Sequence, residues 1–252
     1  MTDILTSLVA IIFWVAIFFV VLQHALGPVL VWRNERIPAA YDLRPIDVQS
    51  VIAALDAGGA RAVEQLAALG FIPVAASEIV KSHSRTSFLL FRHATDPTAV
   101  NITLAASAVQ KFSYVEFTQV FAGGLMLDVN TCPMPSTFPA FADKRVYRFP
   151  GMSLPELHAA FVKLRARVSR DTAPLPSLSV ESPLFDLARR LDDETIKLVN
   201  QGYLMRQSEN GAHRLTAKGA LLFTWKHVWP WKPLRDKLQL AASRRALDAA
   251  NS

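Results

Sequence analysis

Cys132 and His158 are a thiol and an imidazole that could act together as nucleophile and base, provided the fold brings them into contact. Cys132 opens the proline-rich stretch 132–143, CPMPSTFPAFAD, and has no CxxC partner. A lone thiol in such a loop is expected to be inert. The remaining histidines, at 24, 83, 93, 213 and 227, fall at no metal-ligand spacing. SHSR at 82–85 reads as a polar turn before it reads as an anion site. Neither a GxxxxGK phosphate loop nor a GxSxG elbow occurs. No catalytic residue, cofactor or metal is therefore assigned, and the chain is not expected to be an enzyme.

The remaining chemistry is that of binding. Residues 219–237, GALLFTWKHVWPWKPLRDK, place Trp225, Trp229 and Trp231 among Lys226, Lys232, Arg235 and Lys237. The net charge of +6 is concentrated there: residues 201–252 hold 9 Lys and Arg against Glu209, Asp236 and Asp248, and 9 − 3 = +6. Residues 1–200 hold 18 of each sign and cancel. The partner of this segment should be anionic: lipid headgroups, nucleic acid or an acidic protein. Two readings follow. The aromatic rings fill the core of a small C-terminal domain, or they rest at headgroup depth with the cations on anionic lipid.

The other end of the chain favours lipid. Residues 4–22, ILTSLVAIIFWVAIFFVVL, carry no charge, and only Thr6 and Ser7 are polar. At about 1.5 Å per residue they extend roughly 28 Å, close to the thickness of a hydrocarbon core. Ile4, Leu8, Ile11, Phe13, Trp14, Phe18, Phe19 and Leu22 are distributed around the whole helix, with no polar stripe of the kind a soluble helix shows. The apolar character resumes after Gln23 and His24 and runs to Trp32, which allows tilt or a kink at Pro28. A cleaved signal peptide would need a basic start and a shorter apolar run than the one after MTD. Arg33 and Arg36 follow the span and no Lys or Arg precedes it, so the N-terminus is expected outside and the remainder in the cytoplasm of a cell whose inner membrane it crosses once. A single cysteine, unable to form an internal disulfide, fits that reducing compartment.

The positioning elements read as α+β. A transmembrane anchor over 1–32 leads through a connector at 33–46 into a domain at 47–168. Asp47 caps a helix to about Leu69, with Gly58-Gly59 as the point where it divides. Strand periodicity follows at 71–80, 86–93, 98–106, 112–121 and 125–131, with a tight turn at Gly123-Gly124. An antiparallel meander flanked by helices is expected, with a short strand at 144–150 and a helix capped by Ser153 and Glu156. Residues 169–183 form a linker by composition, and 184–252 form a basic helix-hairpin-helix unit whose last helix breaks at Pro230 and Pro233.

Within that unit, Gly202-Tyr203-Leu204, Arg214-Leu215-Thr216 and Lys218-Gly219 resemble the second half of a winged-helix domain, over about residues 184–224. The resemblance implies a recognition helix and a two-stranded wing. That helix, LDDETIKLVNQ at 191–201, begins with acidic residues that repel phosphate, so nucleic acid is not the expected partner. The sequence therefore points to a membrane-anchored accessory protein. Its partners would be the bilayer and a membrane or cytoplasmic protein. The alternative is a membrane-tethered nucleic-acid-binding regulator.

Overall fold

The computed structural model describes residues 2–81, 84–107 and 111–251. Helix α1 (Thr2–Asn34) is followed by short strands β1 (Arg36–Pro38) and β2 (Arg44–Ile46), then helices α2 (Val48–Ala53) and α3 (Ala57–Ala68). Strands β3 (Phe71–Lys81), β4 (Ser84–His93), β5 (Ala99–Ser107), β6 (Lys111–Phe121) and β7 (Met126–Asn130) come next. After β8 (Lys144–Arg148) and α4 (Leu154–Ser169) come β9 (Pro174–Leu175) and α5 (Pro183–Asn200). The chain ends with β10 (Leu204–Glu209), β11 (Ala212–Leu215), α6 (Ala217–His227) and α7 (Trp231–Asn251). It divides into two compact units: Met1–Ala39 with Glu194–Asp236, and Ala40–Asp193 with Lys237–Ser252.

The second unit is built on a sheet in the order β2-β3-β4-β5-β6-β7-β8. Neighbours from β2 to β7 are antiparallel, as the meander reading requires, but β8 joins β7 in parallel, Met126 opposite Lys144. A strand can return in parallel only through a crossover, and residues 131–143 carry the chain back. The β6–β7 hairpin turns at Gly123 and Gly124, whose φ values of 78° and 82° exclude most side chains. Strand alternation sends Phe117, Phe121, Leu127 and Val129 to one face, where Leu157, Phe161 and Leu164 of α4 complete a core that includes Leu66 of α3. The Phe117 and Phe161 rings stack 5.3 Å apart.

Caps and edges are satisfied locally. Asp47 accepts the Ser50 N–H at 2.7 Å, and Asp56 accepts that of Gly59 at 2.8 Å. The expected helix after Asp47 therefore divides at Asp56, and Gly58-Gly59 lie in the first turn of α3 rather than at the break. At α4 the Glu156 carboxylate accepts the Ser153 N–H and O–H at 3.1 and 2.6 Å. The β8 edge is covered where the Arg148 N–H donates to Ser243 Oγ at 3.0 Å. Residues 169–183 are fixed to the sheet: β9 pairs with β6, buried Gln119 donates to the Leu175 carbonyl at 2.7 Å, and Leu178 packs on Leu90 and Ala99.

The first unit contains a three-stranded sheet, β1-β11-β10, with Arg36 opposite Arg214. Residues 33–46, read as a connector, thus supply one strand to each sheet. Leu204 and Leu215 pair across β10 and β11 and are buried with Leu198 and Ala220. Thr216 caps α6 through Gly219 N–H at 3.1 Å. The break near the C-terminus falls between His227 and Trp231. Pro233 does not interrupt α7, because it occupies the first turn, where a missing N–H costs no helical hydrogen bond.

The fold makes a pH-dependent prediction. His158 packs beside the Phe71 and Phe117 rings, 6.3 and 5.4 Å away. Burial, then the neighbouring His93 and Arg165, lowers its pKa below the usual 6.5, with Asp96 opposing. The folded chain thus favours neutral imidazole while the unfolded chain binds a proton near pH 6.5. The stability from this group is complete above about pH 6.5 and is lost as pH falls toward the lowered native value. Burial raises the Asp96 pKa, but hydrogen bonds from Arg165 and Thr98 outweigh it, so its titration lies below 3.8 and outside this window. Hydrogen exchange of the β4–β6 amides should show protection falling between pH 7 and 5. His158→Phe should flatten that slope; an unchanged slope would remove His158 as its source.

Candidate membrane-contact site

Helix α1 runs unbroken through Pro28. Its segment Thr6–Asn34 is 29 residues long and apolar enough to cross a membrane, and none of it is buried within the chain. Leu8, Ile11, Phe13, Phe18, Phe19 and Leu22 are exposed, and Trp14 is 66% exposed. The Ile4 side chain lies outside the described residues, as do Ser82 and His83 of the SHSR turn. A half-buried stripe begins at Ile17 and continues through Val20, His24, Gly27, Pro28 and Val31, at helical spacing.

That stripe belongs to a helix in contact with α6 and β11. At the centre of the contact a Cβ on Gly27 would lie 2.6 Å from the γ-methyl of Thr224, itself buried in α6. Only glycine permits this approach. Beyond it, the Arg214 guanidinium lies over the Trp32 ring at 5.2 Å, and β1 pairs with β11, so the exit from α1 is held to the hairpin on both sides.

The structure leaves the three tryptophans largely exposed. Trp225, Trp229 and Trp231 are 51%, 63% and 47% exposed, and the unit's core is formed instead by residues such as Leu204, Leu215 and Ala220. Core packing is therefore not their main role; half-buried Phe223 sets its ring 4.8 Å from that of His227. The cations gather at the α6–α7 corner. Arg235 Nη1 donates to the Lys226 carbonyl at 3.1 Å, and the Lys232 N–H donates to the Val228 carbonyl at 2.9 Å. Burial and then the charges of Arg235, Lys232 and Lys226 hold His227 below its usual pKa. Burial and then Arg235 do the same to Lys226. Arg33 is exposed at the end of α1, Arg36 lies in β1, and Lys237 is exposed in α7.

Other candidates separate. Cys132 follows β7, its N–H donating to Asn130 Oδ1 at 3.2 Å, and burial raises its thiol pKa. His158 sits on α4 among Phe71, Phe117 and His93. Among the described residues no group of His, Cys, Asp or Glu is placed to hold a metal ion. Sequence reading missed His227 as a member of the basic corner, because its six-fold scatter of histidines was tested only for metal spacing. It also missed the Gly27–Thr224 contact, which joins residues 197 positions apart and leaves no local pattern.

The contact yields a double-mutant prediction. Gly27→Ala should destabilise the first unit by about 1–3 kcal/mol, the usual cost of overpacking. Thr224→Ser removes the opposing γ-methyl, so adding it to Gly27→Ala should recover a large part of the loss. Unfolding in detergent followed by tryptophan fluorescence would measure the cycle. Independent, additive effects would show that the two sites do not touch.

No protein-family model, curated protein or solved structure matches the chain, so its function is read from its own residues.

Proposed function

We propose that this chain is a single-pass membrane-anchored accessory protein. Helix α1 crosses the bilayer with its N-terminus outside, and the second unit serves in the cytoplasm as an interaction module. The Trp/Lys/Arg segment contacts the membrane surface or a membrane partner. The observation carrying this reading is the exposure of α1: at Leu8, Val9, Ile11–Val15, Phe18, Phe19 and Val21, large apolar side chains are left exposed. A continuous apolar surface of this kind needs lipid or protein cover. Arg33 and Arg36 after the span support the orientation.

Two measurements on the full-length chain test it. Alkaline carbonate extraction should leave the protein in the membrane fraction, as expected of a spanning helix. A reporter fused after residue 252, active only in the cytoplasm, should be active. Quantitative release by carbonate would refute the span, and a reporter active only when exported would refute the orientation.

A further inference from the structure

We propose that the α6–α7 corner binds the phosphate headgroups of anionic phospholipids, with Lys226, Lys232 and Arg235 as its cationic groups and Trp225, Trp229 and Trp231 as its interfacial rim. This rests on the reading of α1 as a membrane span and specifies what the basic segment meets there.

Depth along α1 is the first argument. Gly27 follows Ile4 by 23 residues, and at 1.5 Å per residue it lies about 35 Å along the helix, just past a hydrocarbon layer of about 30 Å. Because Gly27 meets Thr224, α6 is held at that level, and Trp225 is the next residue. Tryptophan is the side chain that favours headgroup depth, since its ring is apolar and its N–H needs a polar partner.

Charge is the second. Residues 225–237 contain Lys226, Lys232, Arg235 and Lys237 against Asp236 alone. Neither Lys226 nor Lys232 forms an ion pair among the described residues. The Arg235–Lys226 hydrogen bond brings the end of α6 against the first turns of α7, and Lys232 and Arg235 share a helical face at i and i+3. The positive end of the α7 dipole lies at the same corner. Lys226 and Lys232, beside exposed indole rings, match a phosphate that lies next to hydrocarbon. Nucleic acid would offer the phosphate without the apolar layer.

The test uses full-length protein in vesicles, with Trp14→Phe and Trp32→Phe so that only the three corner tryptophans emit. Phosphatidylcholine vesicles contain about 20% phosphatidylglycerol, and either lipid is brominated in turn to quench nearby tryptophan. Brominated phosphatidylglycerol should quench more than its mole fraction predicts. Lys226→Gln and Lys232→Gln should each reduce that preference by up to about fivefold, whereas Lys232→Arg should retain it. Free inorganic phosphate at constant ionic strength should leave it unchanged. Equal quenching by both lipids, insensitive to the lysines, would overturn the headgroup site while leaving bilayer contact intact. Displacement by inorganic phosphate would assign the corner to a soluble anion and overturn the proposal. No quenching by either lipid would overturn it as well. Carbonate extraction of the same protein then shows separately whether the span itself has failed.

Discussion

The dominant constraint on this chain is an apolar helix that its own fold does not cover. Each Å² of apolar surface left in water costs about 25 cal/mol, and the helix exposes such surface around most of its circumference over four turns. The unit that contains α1 sets against it a three-stranded sheet and α6, and leaves most of its first five turns exposed. The rest of the first unit is arranged where the helix ceases to be bare.

That arrangement depends on a short-range fit between distant segments. Gly27 allows α6 to lie against α1, β1 continues the exit from α1 into the hairpin sheet, and Arg214 closes over Trp32. The three contacts hold the last turns of the anchor to residues almost two hundred positions later. Their consequence for the tryptophans is direct. With α6 giving its small face, Ala220 and Thr224, to the interior, the bulky Trp225 is directed outward. Exposed indole rings in a unit with an alternative core are a surface property. Their cationic neighbours repel one another, and the burial of part of Lys226 and His227 intensifies that repulsion.

The second unit obeys ordinary sheet-and-helix physics. Alternation on β6 sends Phe117, Gln119 and Phe121 one way and Glu116 and Thr118 the other. On the second face the charges are matched: Asp128 takes the Thr118 hydroxyl at 2.7 Å and Lys144 at 2.9 Å, and Glu116 takes the Asn130 amide at 2.9 Å. Buried Gln119 ties the 174–177 segment to the sheet, an interaction that overrides the linker character of its prolines and serines. Burial raises the Cys132 thiol pKa, and its carbonyl accepts from Arg148 Nη1 at 3.2 Å.

Much of this was determined by sequence alone, and the reason is that the relevant forces are local. The uninterrupted apolar run of α1, the alternation of β3 to β7, the glycine turn at 123–124 and the caps at Asp47, Ser153 and Thr216 depend on residues a few positions apart. What only the tertiary structure decided depends on residues that meet from far away. The parallel seating of β8, the incorporation of β1 beside β11 and the fixing of 174–178 to the sheet are of this kind. So is the choice between core and surface for Trp225, Trp229 and Trp231, since burial is a property of what else arrives at a site and composition cannot register an arrival. Gly27 is the clearest case: in the sequence it is one small residue in an apolar helix, and only the approach of Thr224 reveals that the space it leaves is occupied.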